Sequence, residues 1–573
     1  MKAAGLRSMA SSTQISDSSL PTPRTSVDLT KAEELSKSDL WIFREGRRQV
    51  SGPAFVRELQ QALATNQALL DSLIHAGELE AALADAGAHD APIAAAITDV
   101  LAREMCTGDR GADDPEQLAR RIDVPATISI SPPEGFTYYA LHPLDFARAA
   151  EQIAPTAERF AVIGIRSIGT TLSAVTTAAL IATAKAAERI TVRPTGHPYS
   201  RSTKFSSSDE RWISEQNMRA AHFLIVDEGP GRSGSTFLSV AEALAASGIS
   251  RKRITIVGSR PFDPESLCAQ GAVERWKQFR YVATTPSLSN RFEDWRYLGN
   301  GDWRMYFCSS EQEWPETWTQ MERFKVLSPD RREFVKFEGM GRIGKEVRQR
   351  AIALAEAGFS PPSSDFGDGF VSYAAVQGKH LRKSDLTLDV LEQIARYCAF
   401  RVAEFRCREG HSSELEKMLV YNVQQEFGYE LKVDQGQLSP QEHAVLVDGR
   451  MQPYEWIACE DGRILKTDAI SHGDNHFFPG PAGIGWDLAG VTVEWDLRAE
   501  ETEFLLRRFR QYSGIDAAED FELHMLAYCI FRLGFCKMAR STVLGSAEEK
   551  RLDSAYRKYR AKAEELLAMS LVA

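Results

Sequence analysis

The 573-residue chain is short of several features that would place it quickly. No apolar run approaches the ~20 residues a membrane span needs, and no hydrophobic h-region marks a secretory signal. The eight cysteines are scattered without a single CxxC pair, which argues against a zinc site or a disulfide scaffold and fits a reducing compartment. Positive charge is in deficit, with 68 Lys+Arg against 79 Asp+Glu and a net charge of −11. That balance disfavours a coat for nucleic acid or anionic membrane, and no basic-aromatic interleaving stands out. What is present is a globular composition, 43% hydrophobic and 26% charged, on a chain long enough for several domains. The expectation is a cytoplasmic multidomain protein whose partners are small-molecule substrates rather than membrane or nucleic acid, with a homo-oligomer left open.

Four segments follow from the patterning. Residues 1–36 are rich in Ser, Thr and Pro without apolar period and read as a disordered tail. Residues 37–130 form a helical N-terminal region, with Phe55, Leu59, Leu63, then Leu69, Leu70, Leu73, Ile74, then Leu79 and Leu83 at helical spacing. Gly77 and Gly87 are expected to punctuate it, and Pro92 to open its last helix. Residues 131–325 and 326–573 carry the chemistry.

In the third segment, strands alternate with helices. Phe160-Ala-Val-Ile-Gly-Ile is a buried strand followed by the turn Arg166-Ser-Ile-Gly-Thr-Thr and an Ala-rich helix. A second strand, His222-Phe-Leu-Ile-Val, ends in Asp227-Glu228-Gly-Pro-Gly-Arg-Ser-Gly-Ser-Thr236, and Arg253-Ile-Thr-Ile-Val-Gly is a third. The order predicts a mostly parallel sheet with its ligand site at the carboxyl ends of the strands. Two acids suit a vicinal diol, because carboxylates accept paired hydrogen bonds. The Gly/Ser/Thr loop opening a helix suits a phosphate.

This constellation resembles the phosphoribosyl-pyrophosphate (PRPP) motif of type I phosphoribosyltransferases. The resemblance implies that Asp227 and Glu228 hold the ribose, and that Gly231, Ser233, Gly234, Ser235 and Thr236 wrap the 5′-phosphate. It also implies a pyrophosphate loop at Arg166, Ser167 and Gly169. A basic hood between the two would be formed by Arg193, His197, Arg201 and Lys204. The acidic pair is Asp-Glu rather than the commoner Asp-Asp, and the phosphate loop is about one residue longer.

The fourth segment opens with a strand, Glu333-Phe-Val-Lys336-Phe-Glu, and a helix bearing Glu346. After helices over 386–407 and 413–427 come Val445-Leu-Val-Asp448-Gly-Arg-Met-Gln-Pro and a hairpin from Glu455 to Asp468. Helices resume at Gly485-Trp-Asp-Leu-Ala. The order resembles the protein-kinase-like fold in its aminoglycoside or choline kinase-like branch, a bilobal α+β arrangement. By that resemblance Lys336 grips ATP phosphates with Glu346 as its partner, and Asp448 is catalytic. Asp468 and Glu455 bind Mg²⁺, Glu455 standing where the family has Asn. Leu-Val-Asp-Gly replaces the usual His-Gly-Asp, and Ala-Ile follows the metal Asp. The nearest candidate for a nucleotide-covering loop is Gly299-Asn-Gly-Asp-Trp. Within Ser471-His472-Gly-Asp474-Asn-His476, the alternating His472, Asp474 and His476 share a face and offer a metal set. A polar substrate loop beside Asp468 is the default reading.

The resulting expectation is an α/β chain in which a parallel-sheet phosphoribosyltransferase-like domain precedes a kinase-like one. It implies a bifunctional enzyme using PRPP, ATP and Mg²⁺, against the alternative of a PRPP or nucleotide sensor on a kinase-like scaffold.

Overall fold

The computed structural model describes residues 48–65, 68–197, 200–231, 233–267, 269–407, 413–438, 444–473, 475 and 477–570. The expected tail, Asp474 and His476 lie outside the described residues.

The described N-terminal region holds the helices Gly52–Ala64, Leu69–Ala86, Ala91–Thr107 and Pro115–Arg121, with an antiparallel strand pair Arg48–Ser51/Thr127–Ile130. Ser51 caps the first by accepting from the Ala54 amide, and Gly87 ends the second in the left-handed conformation (φ 61°). Gly77 does not punctuate. It lies inside Leu69–Ala86, where a Cβ would stand 2.0 Å from Thr171 Oγ1, so its role is close approach to the helix Ile168–Ala182.

The helix Leu69–Ala86 also buries Glu78, whose Oε1 has no hydrogen-bond partner. Burial pushes this carboxyl up to about 7 despite Arg342 nearby. An acid raised on folding binds its proton more tightly in the native state, so stability falls as pH rises from the ordinary carboxylate value towards 7. Glu78→Gln removes that penalty. It should stabilise the chain by about 3 kcal/mol at pH 8, with the gain fading near pH 4, read as melting temperature against pH.

The parallel sheet is present as expected. Its five strands run Ala186–Val192, Arg159–Ile165, His222–Val226, Ile254–Gly258, Arg280–Ala283 from edge to edge. Both faces are covered: Phe160, Val162, Leu224 and Val226 pack towards the N-terminal helices, and Ala161, Ile163, Phe223 and Ile225 pack into a second core. Burial on both sides is why these strands read as unbroken apolar runs.

A second, antiparallel sheet of five strands follows, in the order Arg296–Tyr297, Lys325–Leu327, Glu333–Phe337, Phe370–Ala374, Ser363–Gly367. The helix Gly341–Glu356 is inserted between its third and fourth strands in chain order. This sheet reaches back to Arg296, upstream of residue 326. Its first turn spans residues 298–324, with the Gly301 amide and Trp303 indole tied to Glu322 at 2.7 and 2.8 Å. A helical lobe completes the chain, including Leu388–Glu404, Gly485–Trp495, Phe521–Arg540 and Ala547–Ser570. The C-terminal part therefore has the expected two-lobed α+β form.

The N-terminal helices are not a separate cap. Phe55, Leu73 and Leu79 share one core with Val162, Val226, Val335 and Phe337. Among the described residues no helix is long and apolar enough to cross a membrane.

Candidate functional site

The first cluster lies where the antiparallel lobe meets the helical lobe. Lys336 projects from its strand and is buried, with Nζ 3.2 Å from Glu338 Oε1 and 2.9 Å from Ser471 Oγ, and donates to Asp468. Burial opposes its charge, but Asp468 and Glu338 outweigh that and raise its pKa. The expected partner Glu346 is corrected by this geometry. Buried Ile343, Val347 and Leu354 set the phase of Gly341–Glu356 and turn Glu346 towards Arg342, 3.5 Å away. Glu338 takes its place because residues two apart at a strand share a side.

Asp468 follows the hairpin Trp456–Cys459/Ile464–Lys466 in a left-handed conformation (φ 54°) that Asp tolerates. Burial works against its ionisation. Lys336 and His472 win, and hold the carboxyl well below the usual range. His472 Nε2 is 3.3 Å from Asp468 Oδ2, while its Nδ1 is buried with no hydrogen-bond partner among the described residues. Burial lowers the His472 pKa to about 4, so the ring is neutral near pH 7.

Asp448 has no exposed surface. The amides of Asp448 and Gly449 donate to Asp487 at 2.8 and 3.0 Å, anchoring their loop to the start of the helix Gly485–Trp495. The Asp448 carboxylate accepts from the Tyr397 hydroxyl, and Lys466 Nζ lies 3.3 Å away. Lys466 also donates to Glu455 at 2.9 Å. Arg401, one helical turn beyond Tyr397, reaches Asp487 at 3.8 Å.

The Mg²⁺ implied by the resemblance finds one suitable carboxylate among these donors. Asp468 fits one hard cation better: although Oδ1 accepts from Lys336 and Oδ2 faces His472, its side chain is 30% exposed, so a cation can reach it. Glu455 does not fit beside it, because its carboxylate is engaged by buried Lys466 and faced by Arg450 at 3.8 Å. Among the described residues the grouping with metal-ligand spacing is Asp448, Glu455 and His472, without Asp468.

The second cluster lies at the carboxyl end of the parallel sheet. Asp227 and Glu228 follow the central strand, and burial, with the Glu228 charge adding, pushes the Asp227 carboxyl up to about 8. Gly169 packs against this end: a Cβ there would stand 2.7 Å from the Val226 carbonyl and 3.3 Å from Asp227 Oδ1. Gly231 accepts from Gly234 at 3.0 Å, closing the loop before the helix Ser235–Ala246. Ser233 Oγ accepts from the Ser235 amide at 3.3 Å, and Thr236 sits in the first turn. Ser167 adopts φ 98° ahead of Gly169. Arg201 lies on the small hairpin Thr195–His197/Ser200–Ser202 and donates to the Gly196 carbonyl at 2.7 Å, with exposed Lys204 just beyond.

Arg166 and Arg193 converge, but on a carboxylate of the chain itself. Asp85, at the end of Leu69–Ala86, receives Arg166 at 3.0 Å and Arg193 at 2.5 and 3.2 Å. The N-terminal region, which looked free of chemistry in sequence, thus reaches this site.

Sequence reasoning missed Glu338, Lys466, Asp487 and Asp85 as site residues. Glu338 and Lys466 carried a signal, each standing two positions from an expected site residue, Lys336 and Asp468. Asp85 carried none, since Arg193 is over a hundred positions away.

No family model matches the sequence, and no curated protein does. Solved structures do. The choline kinase LicA from Streptococcus pneumoniae aligns over 42% of this chain and 89% of its own, at 14% identity and TM-score 0.28. A choline/ethanolamine kinase family protein from Mesorhizobium loti covers 47% and 97%, at 14% and 0.29. A gentamicin complex of APH(2")-IIa covers 48% and 93%, at 13% and 0.28. Likenesses of that size add no weight to the geometry, which stands on the residues above.

Proposed function

We propose that the two-lobed part is a phosphotransferase that moves a phosphoryl group from ATP to a hydroxyl of a small molecule. The observation that carries this is the Lys336–Asp468 pair at the lobe junction, backed by the Asp448 loop that Asp487 ties down. Lys336 provides a fixed cation for nucleotide phosphates. Mg²⁺ bound at Asp468 would neutralise charge on the transferring phosphates. Asp448 orients the acceptor hydroxyl once the site opens to substrate.

The test is incubation with ATP, Mg²⁺ and a panel of alcohols, read by mass as the gain of a phosphoryl group. Choline, ethanolamine and gentamicin, named with the similar structures, belong in the panel. Absence of both nucleotide binding and phosphorylated product would sink this reading.

A second reading concerns the parallel-sheet part, as a type I phosphoribosyltransferase-like site for PRPP. The acid pair at the strand end, the loop opening Ser235–Ala246 and the convergent Arg166 and Arg193 favour it. Asp227 and Glu228 would hold the ribose and the two arginines the departing pyrophosphate, with Arg201 and Lys204 closing from the hood. Release of pyrophosphate from PRPP separates transfer from mere sensing. Both reactions draw on soluble metabolites, which supports the cytoplasmic reading.

Asp85 bears on this second reading. Its carboxylate sits where a ligand anion would meet Arg166 and Arg193. Asp85→Asn removes the charge that competes for both guanidiniums, while Arg166 stays held by Thr191 and Arg193 by the Arg166 carbonyl, so pyrophosphate should bind more tightly, roughly tenfold for the ~1.4 kcal/mol of one weakened competitor. Titration calorimetry measures this, and unchanged or weaker binding would count against the assignment.

A further inference from the structure

The position of Lys466 has no counterpart in the expected site. Its side chain is wholly buried, and its Nζ lies 2.9 Å from Glu455, 3.3 Å from Asp448 and 2.8 Å from the Thr467 carbonyl. Two carboxylates from the connection before the strand Trp456–Cys459 converge on it, and His472 completes with them a grouping whose ligand atoms lie within 4.8 Å of one another. His472 also keeps one ring nitrogen, Nδ1, buried with no hydrogen-bond partner among the described residues. Carboxylates and a neutral imidazole are a ligand set for a divalent transition metal.

We propose that Lys466 is a built-in counter-cation filling a latent divalent-metal site formed by Asp448, Glu455 and His472, so that the chain engages ATP with a single metal ion, at Asp468. The part about ATP rests on the phosphotransferase reading; the latent site itself does not. The physical argument is charge replacement. Asp448 and Glu455 are buried and close enough to repel, and a cation between them relieves that repulsion. An ammonium supplies one positive charge there and a divalent ion two, and Lys466 excludes the ion by occupying its place. The spacing also suits this role. Lys466 lies two positions before Asp468, so one hairpin end delivers both a fixed cation and the carboxylate that remains open to a metal.

The experiment compares the full-length wild type with Lys466→Met, which keeps chain length and removes charge. With Mn²⁺ alone, the variant should gain one bound ion per chain by electron paramagnetic resonance, and Mn²⁺ should raise its melting temperature more than the wild type's. Co²⁺ should develop visible absorption typical of nitrogen ligation in the variant, lost on adding His472→Ala. No gain of an ion by a folded variant would overturn the latent site. Were the variant unfolded without metal, Mn²⁺ should refold it, and failure to do so would overturn the site equally. The wild type, with a non-hydrolysable ATP analogue, should bind one Mn²⁺; two would overturn the counter-cation role. No analogue binding at all, with the variant's extra Mn²⁺ intact, would instead remove the ATP reading and leave the latent site standing.

Discussion

Replacing Asp468 with Asn is expected to cut ATP turnover by roughly three orders of magnitude, the scale of losing several kcal/mol of charge stabilisation at the transferring phosphates. The fold should survive. Asn tolerates the left-handed backbone that residue 468 adopts (φ 54°). Lys336 is not stranded either, because Glu338 at 3.2 Å and Ser471 at 2.9 Å still satisfy it. What is lost is the carboxylate of this cluster best open to a metal. Steady-state turnover beside thermal melting reads both outcomes, and turnover within threefold of the wild type would end the assignment. The wild-type carboxyl is held well below its ordinary range by Lys336 and His472, against the pull of burial. Its contribution to stability is therefore complete above the ordinary carboxylate pKa and is lost as pH falls towards the depressed folded value.

Asp487→Ala should destabilise the helical lobe by about 3–5 kcal/mol, the usual consequence of removing one partner of a buried charge pair. Three things fail together: the Asp448 and Gly449 amides lose their acceptor, and Arg401, at 1% side-chain exposure, loses a counter-charge. Asp487→Asn keeps one carbonyl oxygen for the amides and should lose clearly less. Urea unfolding followed by tryptophan fluorescence is a direct readout, since Trp486 adjoins the site and is fully buried. If Asp487→Ala melts with the wild type, the loop is held by something other than this anchor.

These two effects differ in kind for a reason visible in the chain. Asp468 is at the open edge of its cluster and has redundant neighbours, so its loss is chemical. Asp487 is sealed behind the loop and accepts both of its amides, so its loss is structural. In both candidate sites a charge of the chain itself meets groups of opposite sign. Asp85 meets the two arginines at the parallel sheet, and Lys466 bridges the two carboxylates at the lobe junction.

Much of the local architecture was legible in the sequence. The apolar runs at 160–165, 222–226 and 254–258 became adjacent parallel strands, because a strand covered on both faces needs no polar alternation. Lys336 on its strand, the hairpin before Asp468 and the helix beginning at Gly485 were likewise readable from period and turn residues. Gly77 was misread, since a glycine that breaks a helix and one that lets two helices touch look identical in one dimension.

The sequence by itself determined the elements, their order and the residue types at each strand end, since backbone geometry and hydrophobic periodicity act over a few residues. Only the tertiary structure decided which charges meet. Whether Glu346 or Glu338 faces Lys336 depends on the rotational phase of a helix, set by what its apolar side packs against. Whether Arg166 and Arg193 stand free or engaged depends on Asp85, brought from a helix about a hundred positions earlier by a shared core. Coulomb energy follows distance in space, and distance along the chain does not report it.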